Sequence, residues 1–391
     1  MTKLLTFAAP EGALETRVWV CDDRACRALT VAGALVVFFE PEEMVVFAPG
    51  ETGPGDETVV PLPDCDSEAG LWACFEAICG AVGEGERLIV DLTHATGPLP
   101  FVVFLALPYL RELKGARIER VFYGARAGRA ATELPVHDLT PFVEVLDWVG
   151  AIQGFLRYLD ADALSALFAG IQDRAHRQRR EPPPRQLKPF ANNLARFASA
   201  VRLARPSEAF LAAHLLLARL EQVEGEVAAD LPALRPLVER IGRLAPLADE
   251  EPVLDGELLR RQRTLVRYQL DHGLLLQAVE LGREWLVNLL VLRLECPAER
   301  WLDWQVRETV GRTATGAMLA RQHRDYDPTE LSARFEALAD ADGIASVWQA
   351  IGELRNDLAH CGMNEQPKAV RVIERRAAAV IAALEALAWV T

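Results

Sequence analysis

Positive charge is scarce in this sequence. Its 391 residues carry 42 Lys+Arg against 56 Asp+Glu, a net charge of −14 at pH 7. That balance argues against broad, sequence-independent coating of nucleic acid, which is driven by cationic side chains displacing phosphate counterions. Long apolar runs are also missing. The apolar stretch after Lys3 is interrupted by Pro10-Glu11, and 101–110 is too short to span a bilayer. The chain therefore reads as cytoplasmic, with no secretory signal and no membrane partner. Zinc-like cysteine spacing is lacking. The seven cysteines, an odd number spread from Cys21 to Cys361, suit a reducing compartment. Cys21/Cys26 and Cys74/Cys79 have no second cluster to complete a site, so buried thiols and no metal are expected. There is no internal repeat and no coiled-coil heptad.

What is present is core material and an uneven distribution of charge. A hydrophobic content of 51% supplies two domains. Residues 1–150 hold 11 Lys+Arg against 23 Asp+Glu, whereas 151–391 hold 31 against 33. An anionic ligand in the first part must be held by backbone amides, hydroxyls and helix N-termini more than by lysines. In the second part arginines are plentiful enough to line an RNA path.

The first part alternates β-rich runs at 3–8, 15–20, 44–48, 88–91 and 118–123 with helical runs at 71–82 and 99–113. That alternation implies a mainly parallel, doubly wound sheet, with ligands bound outside the carboxyl ends of its strands. Segment 51–56 is a turn-rich loop. From Phe142 onward the pattern is helical: a long amphipathic run from 140 to about 180 is broken by Pro182-Pro183-Pro184. Helices then follow at about 188–204, 207–223, 256–295, 299–323, 328–340, 344–361 and 366–389. Arginines clustered around the proline tract read as a solvated helix end or an RNA contact. Trp285, Trp301, Trp304 and Trp348 recur among aliphatics at helical spacing, which is core behaviour.

Arg355-Asn356-Asp357-Leu358-Ala359-His360 carries the most chemistry. RNA brings its own nucleophile, the 2′-hydroxyl, so a catalyst need only move its proton, orient it and stabilise charge on the phosphorane. Histidine and arginine do this without a metal. Asn356 and His360 share one helical face at i, i+4. Arg355 sits roughly 140° around and must use its reach. Gly362 offers a left-handed stop. Similar Arg/His spacings occur at Arg267/His272 and Arg87/His94. Only the third spacing has Asn directly after Arg and Gly after the helix. On residues alone, Arg355 as a surface residue and His360 as a helix cap remain an equal alternative.

Arg-Asn-x-x-x-His resembles the signature of HEPN ribonucleases. Asp91-Leu92-Thr93-His94 resembles the motif that names the CRISPR-associated DxTHG family, which joins a CARF sensor to a HEPN domain. Supporting similarity runs through Val121-Phe122-Tyr123-Gly124-Ala125, Asp138-Leu139-Thr140-Pro141-Phe142 and 268–290. The family's glycine after the histidine is Ala95 here, with Gly97 two places on. The resemblance implies an α/β plus all-α chain: a Rossmann-like CARF domain at 1–148, and a helical linker and HEPN domain at 149–391. It implies a type III CRISPR endoribonuclease, switched on by a cyclic oligoadenylate and cutting single-stranded RNA as a homodimer without a cofactor. Arg355, Asn356 and His360 would be catalytic. Thr93, His94, Thr96, Gly97, Pro10 and Gly12 would contact the activator. Two alternatives stay open: His94 slowly opening the activator ring, and a non-catalytic sensor or scaffold in which the HEPN fold only mediates dimerisation or partner binding.

Overall fold

Leu4 and Leu5 sit side by side in the first strand and are both fully buried, which requires cover on both faces of the sheet. The computed structural model describes residues 1–9, 16–49, 58–125, 133–230, 234–363 and 365–387. Pro10, Gly12 and the 51–56 turn lie outside them. The chain divides into two compact units, Met1–Val149 and Gly150–Thr391.

The first unit begins with β1 (Thr2–Phe7), β2 (Arg17–Cys21), β3 (Arg24–Ala28) and α1 (Val31–Phe39). It continues with β4 (Glu43–Ala48), β5 (Thr58–Pro61), α2 (Glu68–Gly80), β6 (Arg87–Asp91) and α3 (Leu99–Lys114). It closes with β7 (Arg117–Gly124), β8 (Glu133–Asp138) and the start of α4 (Thr140–Tyr158), inside which the division falls. The eight strands form one mixed, mostly parallel sheet ordered β3-β2-β8-β7-β6-β1-β4-β5. Only the β2/β3 and β7/β8 pairs are antiparallel. Read from the other edge, β5-β4-β1-β6-β7-β8 is the doubly wound order, and the direction of winding reverses between β1 and β6.

Side-chain alternation sorts the core. Leu4, Ile89 and Phe122 face α1 through Val31, Leu35 and Phe38. Leu5, Leu88, Val90 and Val121 face α2 and α3 through Ile78, Val103, Leu107 and Leu110.

Three strands escape the sequence pattern. β3 returns antiparallel to β2 through Asp22, which is left-handed at φ 52°. β5 is an edge strand ending in Pro61, and β8 carries Pro135 in its middle, where a missing N–H argues against a strand. Helix α1 is likewise absent from the sequence reading.

The second unit is helical. It contains α5 (Asp162–Arg177), α6 (Leu187–Arg202), α7 (Pro206–Leu217), α8 (Leu220–Asp230), α9 (Arg235–Gly242) and α10 (Gly256–Asp271). It ends with α11 (Leu275–Arg293), α12 (Trp304–Arg321), α13 (Ser332–Glu336), α14 (Ala341–Ala359) and α15 (Val370–Ala386). The run expected from 140 to 180 is two helices, because fully buried Leu159 turns left-handed at φ 52°. The helix expected over 256–295 is also two, broken at Gly273 with φ 73°. The segment 207–223 divides between α7 and α8, and 328–340 shrinks to α13. Trp285 and Trp348 are core residues as expected, but Trp304, the first residue of α12 after its Asp303 cap, is 73% exposed. Of the cysteines, Cys21, Cys74 and Cys79 are buried, and Cys361 is exposed.

The end of β7 is fixed by a close approach. A methyl on Gly124 would collide with Val31 of α1 and press on Trp19 and Thr93. Gly124→Ala is therefore expected to destabilise the chain by about 1–3 kcal/mol, the usual cost of overpacking. A lower urea midpoint at unchanged slope would show it; an unmoved midpoint would mean that α1 yields freely.

Candidate functional site

The reversal between β1 and β6 makes a crevice at their carboxyl ends, where Ala8-Ala9 and Leu92–Gly97 emerge. Asp91, the last residue of β6, has no exposed surface. Its Oδ2 accepts from the Thr6 hydroxyl of β1 at 2.9 Å, and its Oδ1 accepts from the Thr93 amide at 2.9 Å and from the Thr93 hydroxyl. The Thr93 oxygen accepts in turn from the Gly124 amide of β7 at 2.9 Å. One carboxylate thus ties three neighbouring strand ends together. Burial pushes the Asp91 carboxyl up, opposed by the hydrogen bonds from Thr93 and Thr6.

This network separates the sequence-predicted ligand residues. Thr93 is 5% exposed and its hydroxyl donates to Asp91 and accepts from Gly124, so it frames the turn. His94 is half-buried and lines a cavity of about 430 Å³ at the ends of β1 and β4. That cavity is walled mainly by apolar side chains, including Phe7, Met44 and Val46, with Thr6, Thr30 and His94 as its polar members. Thr30 also caps α1 by accepting from the Gly33 amide at 3.0 Å. Among the described residues no lysine or arginine lines the cavity.

The turn tolerates Ala95 because its left-handed residue is Gly97, at φ 58°. Thr96 and Gly97 are exposed, and their amides make no backbone hydrogen bond among the described residues. The α3 N-terminus itself offers little: Pro98 and Pro100 have no N–H, Leu99 donates to Thr96 and Phe101 to Pro98.

In the second unit, α14 buries Ile344, Val347, Trp348, Ile351 and Leu354 and turns Arg355, Asn356 and His360 outward. The helix ends in a paired-bond stop, with Cys361 donating to Leu358 at 3.1 Å and Gly362 to Asp357 at 3.1 Å. Gly362 is left-handed at φ 67°, as expected, and Cys361 before it is left-handed too, at φ 54°; His360 is the cap. Helix α11 comes close beneath because residue 282 is glycine; a methyl there would meet Ile351 at 3.0 Å and Leu384 at 3.3 Å. This approach sets Glu280 against Arg355, whose Nε donates to both carboxylate oxygens at 3.0 and 3.3 Å.

Arg355 and Asn356 wall a cavity of about 640 Å³ together with Glu280, Arg283, Trp348 and Arg324. His360 stands outside that lining, at the helix end. Arg283, whose place on the long helix left open both completing the site and a buried structural network, the latter favoured, lies over the Trp348 ring at 3.1 Å from the centroid.

In the competing Arg/His spacings the arginines are paired with carboxylates and line neither cavity. Arg267 is clamped by Glu385, and the His272 Nδ1 lies 2.7 Å from the Tyr268 carbonyl as the cap of α10. Arg87 opens β6 and pairs with Glu119, while His94 follows the opposite end of that strand. Among the described residues no three His, Cys, Asp or Glu side chains converge as a metal site, and no helix is long and apolar enough to cross a membrane.

No protein-family model matches the chain. It is 25% identical over 101 residues to the CRISPR-associated protein MJ1674 of Methanocaldococcus jannaschii, a match covering 25% of this chain and 16% of that protein. The matched part is thus under a fifth of that relative's length.

Asp91→Ala is expected to cost about 3 kcal/mol, because it strands buried donors on Thr6 and Thr93. The pH dependence has a definite sign. With the native carboxyl raised above its unfolded value, its bound proton stabilises the fold fully below about pH 3.9, the ordinary aspartate value, and that contribution is lost as pH rises through the native value. Unfolding free energies of the wild type and Asp91→Asn across mildly acidic pH test this: the wild type should lose stability relative to the variant as pH rises.

Proposed function

We propose that this chain is a CRISPR-associated CARF–HEPN ribonuclease: a cyclic oligoadenylate held at the β1/β6 crevice switches on metal-independent cleavage of single-stranded RNA by the second unit. The observation that carries the reading is that Arg355 and Asn356, the Arg-Asn pair of the motif, wall a cavity. The name of the Methanocaldococcus protein supports a CRISPR role, and the position of His94 at the switch point supports a nucleotide ligand.

In this reading the RNA 2′-hydroxyl attacks its own phosphate and expels the 5′-oxygen, leaving a 2′,3′-cyclic phosphate. His360 handles the proton, Arg355 leaves Glu280 to take the phosphate charge, and Asn356 orients the strand. His360 stands apart from the cavity, and one motif supplies only one Arg and one His. A homodimer placing two of each around the scissile phosphate completes the constellation. The activator acts only through its preference for the active form, so contacts at His94, Thr96 and Gly97 set how much is needed and leave the cutting rate alone.

Incubation of the full chain with fluorescent RNA and EDTA, with cyclic tri-, tetra- or hexa-adenylate in separate tubes, tests class and ligand together. Cleavage in one tube is expected; no cleavage in any tube points to the non-catalytic sensor. His360→Ala and Arg355→Ala should each lower cleavage by roughly 10²–10⁴-fold, while His272→Ala leaves it intact. A reversal of these phenotypes would move the site to α10.

His94→Ala should raise the cyclic ligand concentration giving half-maximal cleavage without changing the maximum. A lowered maximum at saturating ligand would overturn its placement in the sensor. Labelled cyclic ligand followed for hours in the His360→Ala background also decides whether His94 opens the ring.

A further inference from the structure

The cavity beside Arg355 holds more cationic donors than its carboxylates consume. Glu280 is taken by Arg355, Glu284 by Arg307, and Glu353 by Arg376 at 3.0 Å. Two guanidinium groups on the same walls, Arg283 and Arg324, have no carboxylate within ion-pair reach among the described residues. The nearest side-chain partner of Arg324 is the Gln322 amide oxygen at 3.5 Å.

Both arginines are built into place. Arg283 lies over the ring of Trp348, which is 3% exposed and whose indole donates to the Thr315 hydroxyl at 3.2 Å. The ring holds the guanidinium at the cavity wall, and its N–H groups suit a planar, doubly accepting group. Arg324 is held by the helix stop that ends α12: its amide donates to Leu319 at 3.0 Å, with His323 left-handed at φ 54°. Burial, together with the neighbouring Arg355 and Arg307, pushes Arg283 down to about 10 against Glu284 and Glu280. It therefore stays charged at neutral pH, and a nearby anion would strengthen its hold on the proton.

We propose that Arg283 and Arg324 form a phosphate-binding subsite that grips the RNA backbone next to the scissile phosphate, Arg283 from its seat on Trp348 and Arg324 from the end of α12. This rests on the ribonuclease reading and goes beyond it, since neither residue belongs to the Arg355–His360 motif. The charge balance favours such a subsite: with a net charge of −14, the chain gains most from guanidiniums whose neighbouring carboxylates are occupied elsewhere.

The test measures binding of a fluorescein-labelled single-stranded oligoribonucleotide to the full chain carrying His360→Ala, by anisotropy over a salt series, with cyclic tri-, tetra- and hexa-adenylate present together. Adding Arg324→Ala or Arg283→Ala should each reduce the slope of log affinity against log salt by about 0.7, one phosphate contact on a single strand. Arg283→Lys should keep that slope while binding more weakly, because the charge remains and the planar fork is lost. Arg324 is exposed, so its removal leaves folding intact even where Arg283→Ala does not. RNA binding in the parent with an unchanged slope in Arg324→Ala overturns the subsite and spares the ribonuclease reading. A parent that binds no RNA overturns both.

Discussion

A carboxylate buried as completely as Asp91 costs several kcal/mol in lost hydration unless the protein replaces its water. Here the replacement comes from Thr6 and from both the amide and hydroxyl of Thr93. The crevice depends on that compensation. The donors belong to different strands, so the carboxylate keeps its partners only while β1 and β6 end level and the turn after β6 folds back. Thr93 passes the constraint on to β7 through Gly124. The Asp-x-Thr-His motif therefore contains two kinds of residue. Asp91 and Thr93 hold strand ends together, and His94 lines the cavity. An alanine after the histidine is no obstacle, because the left-handed step has moved to Gly97.

The ion pair between Arg355 and Glu280 raises the question of whether it locks the motif arginine away. Its side chains are 47% and 33% exposed, and pairs so open to water contribute about 0–1 kcal/mol. A phosphate that offers the same charge to the same fork can displace the carboxylate at little cost. Glu280 thus orients Arg355 without sealing it. Gly282 is the harder constraint: the backbone approach it permits brings Glu280 and Arg283 to the wall that carries Arg355, and no side-chain rotation could substitute for it.

Much of this was legible in the sequence for reasons that can be named. Buried parallel strands such as β1, β4 and β6 read as short apolar runs, and α14 announces its buried face by apolar spacing and its end by Gly362. Illegible elements were those whose pattern is overridden by context. β8 tolerates Pro135 in its middle, and α1 is so uniformly apolar that it carries little periodicity. The breaks at Leu159 and His272-Gly273 were hidden because apolar spacing continues through both. For the site, spacing found Arg355, Asn356 and His360, but it could not tell that Thr93 is bonded to Asp91. Nor could it show Arg283 stacked on Trp348, a contact between residues far apart in sequence.

In the proposed reading one acidic chain binds two polyanions, and the two cavities resolve the apparent conflict differently. The crevice at β1 and β6 has no cationic lining among the described residues, in a first part, 1–150, with a charge of −12. Affinity there must come from apolar walls matched to base faces, from hydroxyls and from the amides of Thr96 and Gly97. These contacts read shape and hydrogen-bonding edges and are weakly screened by salt. The cavity of the helical unit, with Arg283, Arg324 and Arg355 on its walls, works through charge, which tolerates any base and is strongly screened. A selective signal ligand calls for the first kind of recognition and a strand cut wherever it is met calls for the second. The division of charge along the sequence separates them before any fold is formed.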